Sequence, residues 1–448
     1  MDKQEIEIIK NAGIVGAGGA GFPSHVKFNA QAGTLIINGA ECEPMIHVDK
    51  LLLEHDFGKV YEGMRTAATL IGAKRIVLAL KAKYSDAIKV LKDFKNRTKS
   101  DGFNFEILPL GNFYPAGDEQ VLVYEVTHKI APEGGIPLQV GVIVTNVETL
   151  LNISNAIGGE NVTQKYVTVN GEVASPMTLK VPVGTPVKKL IQYCGGIITG
   201  GEYAVIDGGP MMGKIIDMDK YAVKKTTKSI IVLPEDSIVV EHQRRSIHRA
   251  VKRAQAICLS CRMCTDLCPR YLLGHELFPD EMMKKMYRGE LTDSDLEKFD
   301  FAFLCCDCGL CELYSCVVDL SARSLFNYIK AELDKKGVKN PHNRQYLTVN
   351  DFRDYRKVPV DRLEKRLEVD KYHSIAPLCD FNAKISEIKL YLSQHVGAPS
   401  VPVVRTGEKV TEGQLVADIC EGKPGAKIHS SINGVVSEIT DSFIIIKE

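Results

Sequence analysis

The sequence has no excess of either charge: 56 Lys and Arg residues balance 56 Asp and Glu residues in a chain of 448. This balance gives no reason to expect nucleic acid or an anionic membrane surface as a partner. Long hydrophobic runs are also lacking, since no stretch approaches the roughly 18 apolar residues of a membrane span. The first residues carry neither the basic nor the apolar segment of a secretory signal. We therefore expect a cytoplasmic protein with no membrane span.

The length and composition are those of a folded multidomain protein, at about 150 residues per domain. Apolar runs such as TLIING, RIVLAL and GVIVTN alternate with helix-like stretches over 49–71 and 84–94, which predicts an α/β domain. Short runs separated by Gly and Pro follow, with one helix expected near 187–193. We place the domains at 1–160 (α/β), 161–238 (β-rich), 239–350 (cysteine motifs among helices) and 351–448 (a linker followed by short strands).

Cysteine is the residue type with the strongest pattern. The chain has 13 cysteines, and nine of them fall between residues 258 and 316, mostly three to five residues apart. An odd total at such short spacings indicates metal ligation in a reducing compartment, not a disulfide framework.

Two cysteine motifs predict iron–sulfur clusters. The first is C-x2-C-x2-C-x3-C-P, and the second nearly repeats it as C-x2-C-x2-C-x4-C. In two-cluster ferredoxins the fourth cysteine of each run ligates the other cluster. The spacing thus predicts two [4Fe–4S] clusters, one on Cys258, Cys261, Cys264 and Cys316 and the other on Cys305, Cys308, Cys311 and Cys268.

Structural zinc is the alternative, because C-x2-C pairs also build zinc sites with four thiolates. Each run, however, supplies a third closely spaced thiolate that a tetrahedral zinc site does not need. Cys306 falls outside the register of the second run, so we expect it to be a packed thiol.

A glycine-rich loop near the start imitates a dinucleotide fingerprint. Gly16, Gly18 and Gly21 satisfy G-x-G-x-x-G, and Glu41 lies 20 residues further on, where a ribose-binding acid would stand. Phe22-Pro23 follows at once and favours extended backbone where the fingerprint needs a helix to open. We therefore expect this loop to lie under a flat ligand instead of capping a pyrophosphate with a helix.

Four segments carry a resemblance to a known family. They are GAGGAGFPSHVKF, NGAECEP at 38–44, YPAGDE at 114–119 and TNVETL at 145–150. These segments resemble the motifs that surround FMN in the NADH-oxidising subunit of respiratory complex I and in the C subunit of Rnf complexes. Along nearly the whole chain, including CLSCRMCTDLCPR, GHEL and IHSSINGVVSEI, the sequence resembles the cobalamin reductases of propanediol-utilisation microcompartments, the PduS type.

The resemblance implies roles for individual residues around FMN. The backbone of Gly16, Gly18 and Gly19 would approach the flavin ring, and Lys27 would place a cation near it. Asn38 and Asn146 would hydrogen-bond the ring or the ribityl chain. The wall of the pocket would be formed by Tyr114, Gly117 and Asp118.

Other residues are implied on the nucleotide side. Glu43 and Glu119 would meet the ribose or carboxamide of NADH, and Phe22 would stack on it. Ala40 stands where the complex I motif has an acid, so one polar flavin contact of that family is not expected here. The resemblance also implies a Rossmann-like flavin domain, a β-grasp soluble-ligand-binding domain, a two-cluster ferredoxin-like domain and a lipoyl-like barrel-sandwich.

Together these features predict an NADH-dependent flavin and iron–sulfur reductase whose acceptor is a corrinoid, reduced toward cob(I)alamin for a diol dehydratase system. The alternatives are an Rnf-like or proline-reductase-associated electron-transfer protein, and an electron-conducting adaptor without NADH turnover. A redox protein is the other possible acceptor, since motif spacing does not fix cluster potentials. A microcompartment shell protein or an adenosyltransferase is the implied protein partner, and the inside of a microcompartment the implied location.

Overall fold

The computed structural model describes residues 3–288, 292–372 and 375–448. The first domain alternates strands and helices, as predicted. Its strands are β1 (Thr34–Gly39), β2 (Arg75–Lys81), β3 (Glu106–Leu110), β4 (Phe113–Tyr114) and β5 (Val142–Asn146). Its helices are α1 (Lys3–Asn11), α2 (Ser24–Lys27), α3 (Val48–His55), α4 (Phe57–Ile71), α5 (Ser85–Arg97), α6 (Glu119–Thr127) and α7 (Val147–Ile157).

A parallel sheet in the order β3-β2-β1-β5 forms the centre of this domain. Helices cover both faces of the sheet, so both faces of each strand are buried. The strands are therefore continuous apolar runs, as is usual for buried parallel strands. Helices α4 and α7 pack closely at Gly63, where a Cβ atom would lie 1.9 Å from the carbonyl oxygen of Leu150. Gly63 therefore lets the two helix backbones approach and fixes α7, which begins at the end of β5.

The helix expected over 49–71 is wrong as a single element, because Asp56 divides it into α3 and α4. The Asp56 backbone leaves helical geometry at φ −121° and ψ 22°. Aspartate has a low helix propensity and is common at helix ends, although the Asp56 side chain makes no capping hydrogen bond here. The helix expected over 84–94 is present as α5 and runs three residues further, to Arg97.

The second domain is a mixed sheet with one helix. Its strands are β6 (Gln164–Gly171), β7 (Met177–Pro182), β8 (Tyr203–Asp207), β9 (Lys214–Ile216) and β10 (Ser229–Pro234). Helix α8 (Val187–Tyr193) occupies the predicted position and packs Val187, Leu190 and Ile191 on the sheet. A strand from much later in the chain, residues 378–380, extends the sheet at β7.

The cysteine-bearing region is helical. Its helices are α9 (Ile238–Arg244), α10 (Ile247–Ile257), α11 (Met263–Asp266), α12 (Pro269–Leu272), α13 (Pro279–Arg288), α14 (Asp293–Lys298) and α15 (Ala322–Lys335). Ser246 caps α10 by accepting a hydrogen bond from the Arg249 backbone, and α10 delivers the chain directly to Cys258. Helix α15 buries Leu325, Phe326 and Ile329 against the cysteine loops.

The segment after the cysteine region packs back on the earlier domains. Strand β11 (Val358–Pro359) pairs with β4, helix α16 (Val360–Arg366) follows, and β12 (Leu378–Asp380) joins the second domain's sheet. The segment predicted as a linker therefore pairs with strands of both the first and the second domain.

The final domain is a sandwich of two small sheets. Its strands are β13 (Glu387–Tyr391), β14 (Val401–Pro402), β15 (Lys409–Val410), β16 (Leu415–Asp418), β17 (Ile428–His429), β18 (Gly434–Ile439) and β19 (Phe443–Lys447). The strand orders are β13-β19-β18-β15 and β14-β16-β17. Alternate residues such as Ile388, Leu390 and Ile444 fill the space between the sheets. The predicted multidomain α/β architecture is confirmed, whereas the exact boundaries at 160, 238 and 350 stay predictions.

Candidate functional site

The topology of the first sheet creates a crevice between β1 and β5. The chain leaves β1 for β2 on one side, while β5 pairs with β1 on the other side. Ligands of open α/β sheets bind at such a switch point, outside the carboxyl ends of the strands. Asn38 and Asn146 are register partners at the last position of this strand pair, so the amides singled out from the sequence lie side by side at the crevice.

The glycine loop lies across this crevice. The Gly16 N–H donates to the Phe22 carbonyl at 3.0 Å, which closes residues 16–22 into a turn. A Cβ atom on Gly18 would lie 2.7 Å from Asn146 Nδ2, whereas one on Gly19 would meet no atom within 4 Å. The loop backbone therefore packs closely against the end of β5 at Gly18, whereas the space beside Gly19 is unfilled.

The loop differs from a dinucleotide fingerprint, as expected. Helix α1, not a strand, precedes it, and the helix after it, α2, has only four residues and begins after Pro23. A helix of one turn offers little of the dipole that holds a pyrophosphate.

Asn38 ties two of the motifs together. Its Nδ2 donates to the Gly117 carbonyl at 2.9 Å, and its Oδ1 accepts from the Ala40 N–H at 3.1 Å. The approach at Gly117 is close, because a Cβ atom there would lie 3.2 Å from the sulfur of Cys42.

Asn146 stands above a buried group of charges that sequence reasoning missed. Its Nδ2 donates to Asp49 Oδ2 at 2.8 Å, and Asp49 pairs with Lys228 of the second domain. A second buried pair joins Glu148 to Lys165. Both pairs join the first domain to the second, and Glu148 is the only one of the four charged residues inside a quoted motif.

The two acids of the NGAECEP segment accept hydrogen bonds from backbone N–H groups; Glu41 is buried and Glu43 is half-buried. Glu41 accepts from the N–H groups of Asp49 at 2.9 Å and Lys50 at 3.3 Å, at the start of α3. Glu43 accepts from the Met211 N–H at 3.0 Å. Burial raises the pKa of each to about 7, and nearby Asp49 adds to the effect on Glu41. The geometry thus makes Glu41 a helix cap, and the ribose role expected from its spacing stays a prediction.

A cavity of about 240 Å³ opens beside these two acids, and Lys81 and Tyr84 also line it. Lys81 is nearly inaccessible, and burial lowers its pKa.

Lys27 and Glu119 lie on the more open side. Lys27 Nζ donates to the Val144 carbonyl at 3.0 Å and lies 3.3 Å from Glu119 Oε1. Their side chains are 31% and 45% exposed, and Phe22 is 40% exposed. These three residues are therefore accessible to a dissolved nucleotide, whereas Glu43 lies deeper, on the wall of the 240 Å³ cavity.

Asp118 connects the crevice to the cysteine region. Its carboxylate forms a two-pronged ion pair with Arg270, with Nη2 to Oδ2 at 2.9 Å, and also accepts the N–H groups of Gln120 and Val121 at the start of α6. Burial alone would raise its pKa, but Arg270 and these N–H groups hold it below the usual range. Asp118 thus does more than line the crevice, because its ion pair fixes Arg270, two residues after Cys268.

Tyr114 makes a second connection. Its buried hydroxyl donates to the Cys308 carbonyl at 2.8 Å and lies 3.5 Å from Glu43 Oε1. The YPAGDE segment therefore contacts the loops of both cysteine runs.

The thiols surround two neighbouring cavities. We call the outer set Cys258, Cys261, Cys264 and Cys316, and the inner set Cys268, Cys305, Cys308 and Cys311. Cys311 lines both cavities, and Cys306 lines the inner one. The fourth cysteine of each run thus lies with the first three of the other run.

The two sets differ in exposure. Cys268, Cys308 and Cys311 are buried, whereas Cys261 is exposed. Across the described residues, no three His, Cys, Asp or Glu side chains converge as ligands of a single metal ion do. Thiols spread around a cavity suit a larger cluster better than one zinc ion.

None of the helices in the described ranges has both the length and the apolar character that crossing a bilayer requires.

Comparisons with known proteins agree with this layout. Residues 9–155 match the Nuo51 FMN-binding domain, 166–214 the SLBB domain, 257–321 a 4Fe-4S dicluster domain and 374–447 the RnfC barrel sandwich hybrid domain. A crystal structure of an NAD+-reducing [NiFe]-hydrogenase in the H2-reduced state has a similar fold, with a TM-score of 0.50 and 21% identity over 77% of this chain and 68% of that chain.

Two similar proteins extend along nearly the whole chain. Cobalamin reductase PduS of Citrobacter freundii is 38% identical over 99% of this chain and 97% of its own length. The Salmonella typhimurium protein of the same name is 38% identical over 98% of this chain and 95% of its own.

A more distant relative matches part of the chain. The C subunit of the Na(+)-translocating ferredoxin:NAD(+) oxidoreductase complex of Acetobacterium woodii is 32% identical over 61% of this chain and 59% of its own length. The chain belongs to the family of the PduS cobalamin reductases, an oxidoreductase family related to the C subunits of ion-translocating complexes.

Proposed function

We propose that the protein uses NADH to reduce a corrinoid, converting cob(III)alamin or cob(II)alamin toward cob(I)alamin for a diol dehydratase system. The observation that carries the proposal is the direct junction between the flavin-type domain and the inner thiol set. Tyr114 reaches the Cys308 carbonyl, and Asp118 holds Arg270. The full-length relatives named cobalamin reductase support a corrinoid as the acceptor.

The crevice fits FMN in its position. It lies at the switch point, and Gly18 leaves no room for a side chain while Gly19 leaves open space. The observed bonds use only one of the two amide hydrogens of Asn38 and of Asn146, which leaves each a donor for the flavin. We propose that FMN binds here, with Lys27 supplying a positive charge. When bound, FMN takes a hydride and returns electrons singly, in the form that iron–sulfur clusters accept.

The outer and inner thiol sets would each hold one [4Fe–4S] cluster. Burial raises the pKa of the Cys268 and Cys311 thiols, so these sulfurs become thiolates when a cluster supplies the compensating positive charge. The inner set lies against the flavin-type domain. The outer set, with exposed Cys261, lies toward solvent, and we propose that the acceptor meets the protein there.

NADH would enter on the open side of the crevice. We propose that Glu119 and Phe22 contact the nucleotide and that Glu43 reaches it from the buried side. A carboxylate beside the ribose would repel the extra phosphate of NADPH, so NADH is the expected donor.

A second candidate function follows from the similarity to the Acetobacterium woodii protein. The same domains could pass electrons to a protein partner instead of a corrinoid.

We propose a microcompartment shell protein or an adenosyltransferase as the partner in the cobalamin pathway, and the interior of a cytoplasmic microcompartment as the location.

The acceptor is tested by mixing anaerobic protein with NADH and cob(II)alamin and following cob(I)alamin by its absorbance. We expect cob(I)alamin to accumulate, and ferricyanide to be reduced in a parallel reaction. Reduction of ferricyanide alone would favour the Rnf-like alternative. Reduction of neither acceptor would favour an adaptor without NADH turnover.

The two-cluster assignment, with Cys268 as a ligand, is tested by the iron content of Cys268→Ala. Two [4Fe–4S] clusters give about eight irons per chain, and losing the inner one should leave about four. Cys306→Ala is the matched control, because Cys306 lines the same cavity but stands outside the motif; it should keep the wild-type iron content. Zinc in place of iron, or an unchanged iron content in Cys268→Ala, would contradict the assignment.

The nucleotide site is tested by Glu119→Gln. Losing a charged hydrogen-bond acceptor costs about 1.5–3 kcal/mol, so kcat/KM for NADH should fall by roughly ten- to a hundredfold while FMN stays bound. The exposed pair with Lys27 contributes at most about 1 kcal/mol, so folding should change little.

Glu106→Gln is the matched control for Glu119→Gln. Glu106 is another acid of this domain that pairs with a cation on the surface, Arg75, and its variant should keep the wild-type kcat/KM. An unchanged kcat/KM in Glu119→Gln, or loss of flavin from it, would remove Glu119 from the nucleotide site.

A further inference from the structure

The C-terminal sandwich touches both ends of the segment that carries the glycine loop. Gly13 precedes the loop and Gly21 ends it, and both have positive φ, +70° and +75°. A Cβ atom on Gly13 would lie 2.2 Å from the Lys427 carbonyl oxygen, and one on Gly21 would lie 3.0 Å from the Gln394 carbonyl oxygen. In addition, the Val396 N–H donates to the Gly21 carbonyl at 3.2 Å. The C-terminal sandwich thus packs against the glycine loop and helps to hold it in place.

Lys225 of the second domain lies at the centre of this contact. Its side chain is 2% exposed, and Nζ donates to the carbonyls of Gly13 at 2.7 Å and Lys427 at 2.6 Å. Its backbone N–H donates to Gln394 Oε1 at 2.9 Å. One residue therefore holds backbone from the first and last domains together. We call this three-domain contact the Lys225 junction.

The chemistry of the junction points to positioning, not to ion pairing. Among the described acidic side chains, none forms a salt bridge with Lys225. Burial lowers the pKa of Lys225 to about 7, and a neutral amine still carries the two hydrogens that two carbonyls require. Burying a lysine with no carboxylate partner costs desolvation free energy. The structural result of this burial is that the Gly13 backbone is held in one position.

We propose that Lys225 is a positioning residue for the flavin, and that the C-terminal sandwich serves as the support that keeps residues 13–21 in their flavin-binding conformation. This inference rests on the proposed flavin site. A loop fixed before binding loses less conformational entropy when the ligand arrives, so its affinity is higher. With the Nζ bonds removed, the Gly13 carbonyl is released and the loop gains freedom.

The test measures FMN affinity in Lys225→Met, which keeps an unbranched side chain and removes the donors. Protein stripped of flavin, with its clusters in place, is titrated with FMN. We expect the dissociation constant to rise at least tenfold, and the visible circular dichroism of the bound flavin to change at saturation. Iron content should stay at the wild-type value. Lys188→Met is the control, since Lys188 is an exposed lysine of the same domain paired with Asp219; its FMN affinity should not change.

A second pair of variants tests the junction without substituting Lys225. Gly13→Ala places a methyl group against the Lys427 carbonyl and 2.7 Å from Lys225 Nζ, whereas Gly407→Ala has a similar positive φ of +87° with no atom within 4 Å. We expect weaker FMN binding only in Gly13→Ala. Amide hydrogen exchange of residues 16–22 should speed up in Lys225→Met and in Gly13→Ala.

Wild-type FMN affinity in both Lys225→Met and Gly13→Ala would overturn the proposal. Equal loss of iron and flavin in both would also overturn it, because the junction would then hold the whole fold. Failure of the wild-type protein itself to bind FMN would instead refute the proposed function.

Discussion

The arrangement of the site depends on the ion pair between Asp118 and Arg270. Asp118 ends the turn that follows Tyr114 and begins α6, and Arg270 stands two residues after Cys268. Both side chains are largely buried, at 14% and 9% exposure. A buried charge that loses its partner costs several kcal/mol of folding free energy. A shift of either domain that broke this pair would therefore be strongly destabilising. Because the guanidinium bonds both carboxylate oxygens, the pair fixes orientation as well as distance.

Other contacts complete this arrangement around the same crevice. Tyr114 fixes the second cysteine run through the Cys308 carbonyl, and the Asp49–Lys228 and Glu148–Lys165 pairs fix the second domain. Strand β11 adds the returning segment to β4, next to Tyr114. Every domain thus contacts the first one near the carboxyl edge of its sheet. The separation between the crevice and the thiols is therefore set by packed structure and not by a flexible connection.

Some of this could be predicted because its signal is local. Cysteine spacing constrains which thiols share a cavity, and the structure places Cys316 with the first run and Cys268 with the second. The Phe22-Pro23 pair correctly indicated that no long helix opens at the glycine loop. The helix break at Asp56 could also have been predicted, since aspartate favours helix ends over helix interiors.

The missed features depend on contacts between residues distant in sequence. Asp118 and Arg270 are 152 positions apart, and Lys225 is 212 positions from Gly13. No spacing rule marks such partners. Glu41 shows the converse case: the count from the glycines suited a ribose-binding acid, but folding places its carboxylate on the first N–H groups of α3.

The most direct test of this account is the rate at which the clusters are reduced in Arg270→Lys. Lysine keeps the charge but lacks the planar fork that bonds both oxygens of Asp118. After rapid mixing with NADH, the flavin absorbance should bleach at the wild-type rate, whereas bleaching of the clusters should slow at least tenfold, with flavin and iron contents unchanged. Arg75→Lys, at an exposed arginine that bonds both carboxylate oxygens of Glu106, should behave as wild type. Cluster bleaching at the wild-type rate in Arg270→Lys would contradict the claim that this ion pair sets the geometry between the flavin crevice and the inner thiols.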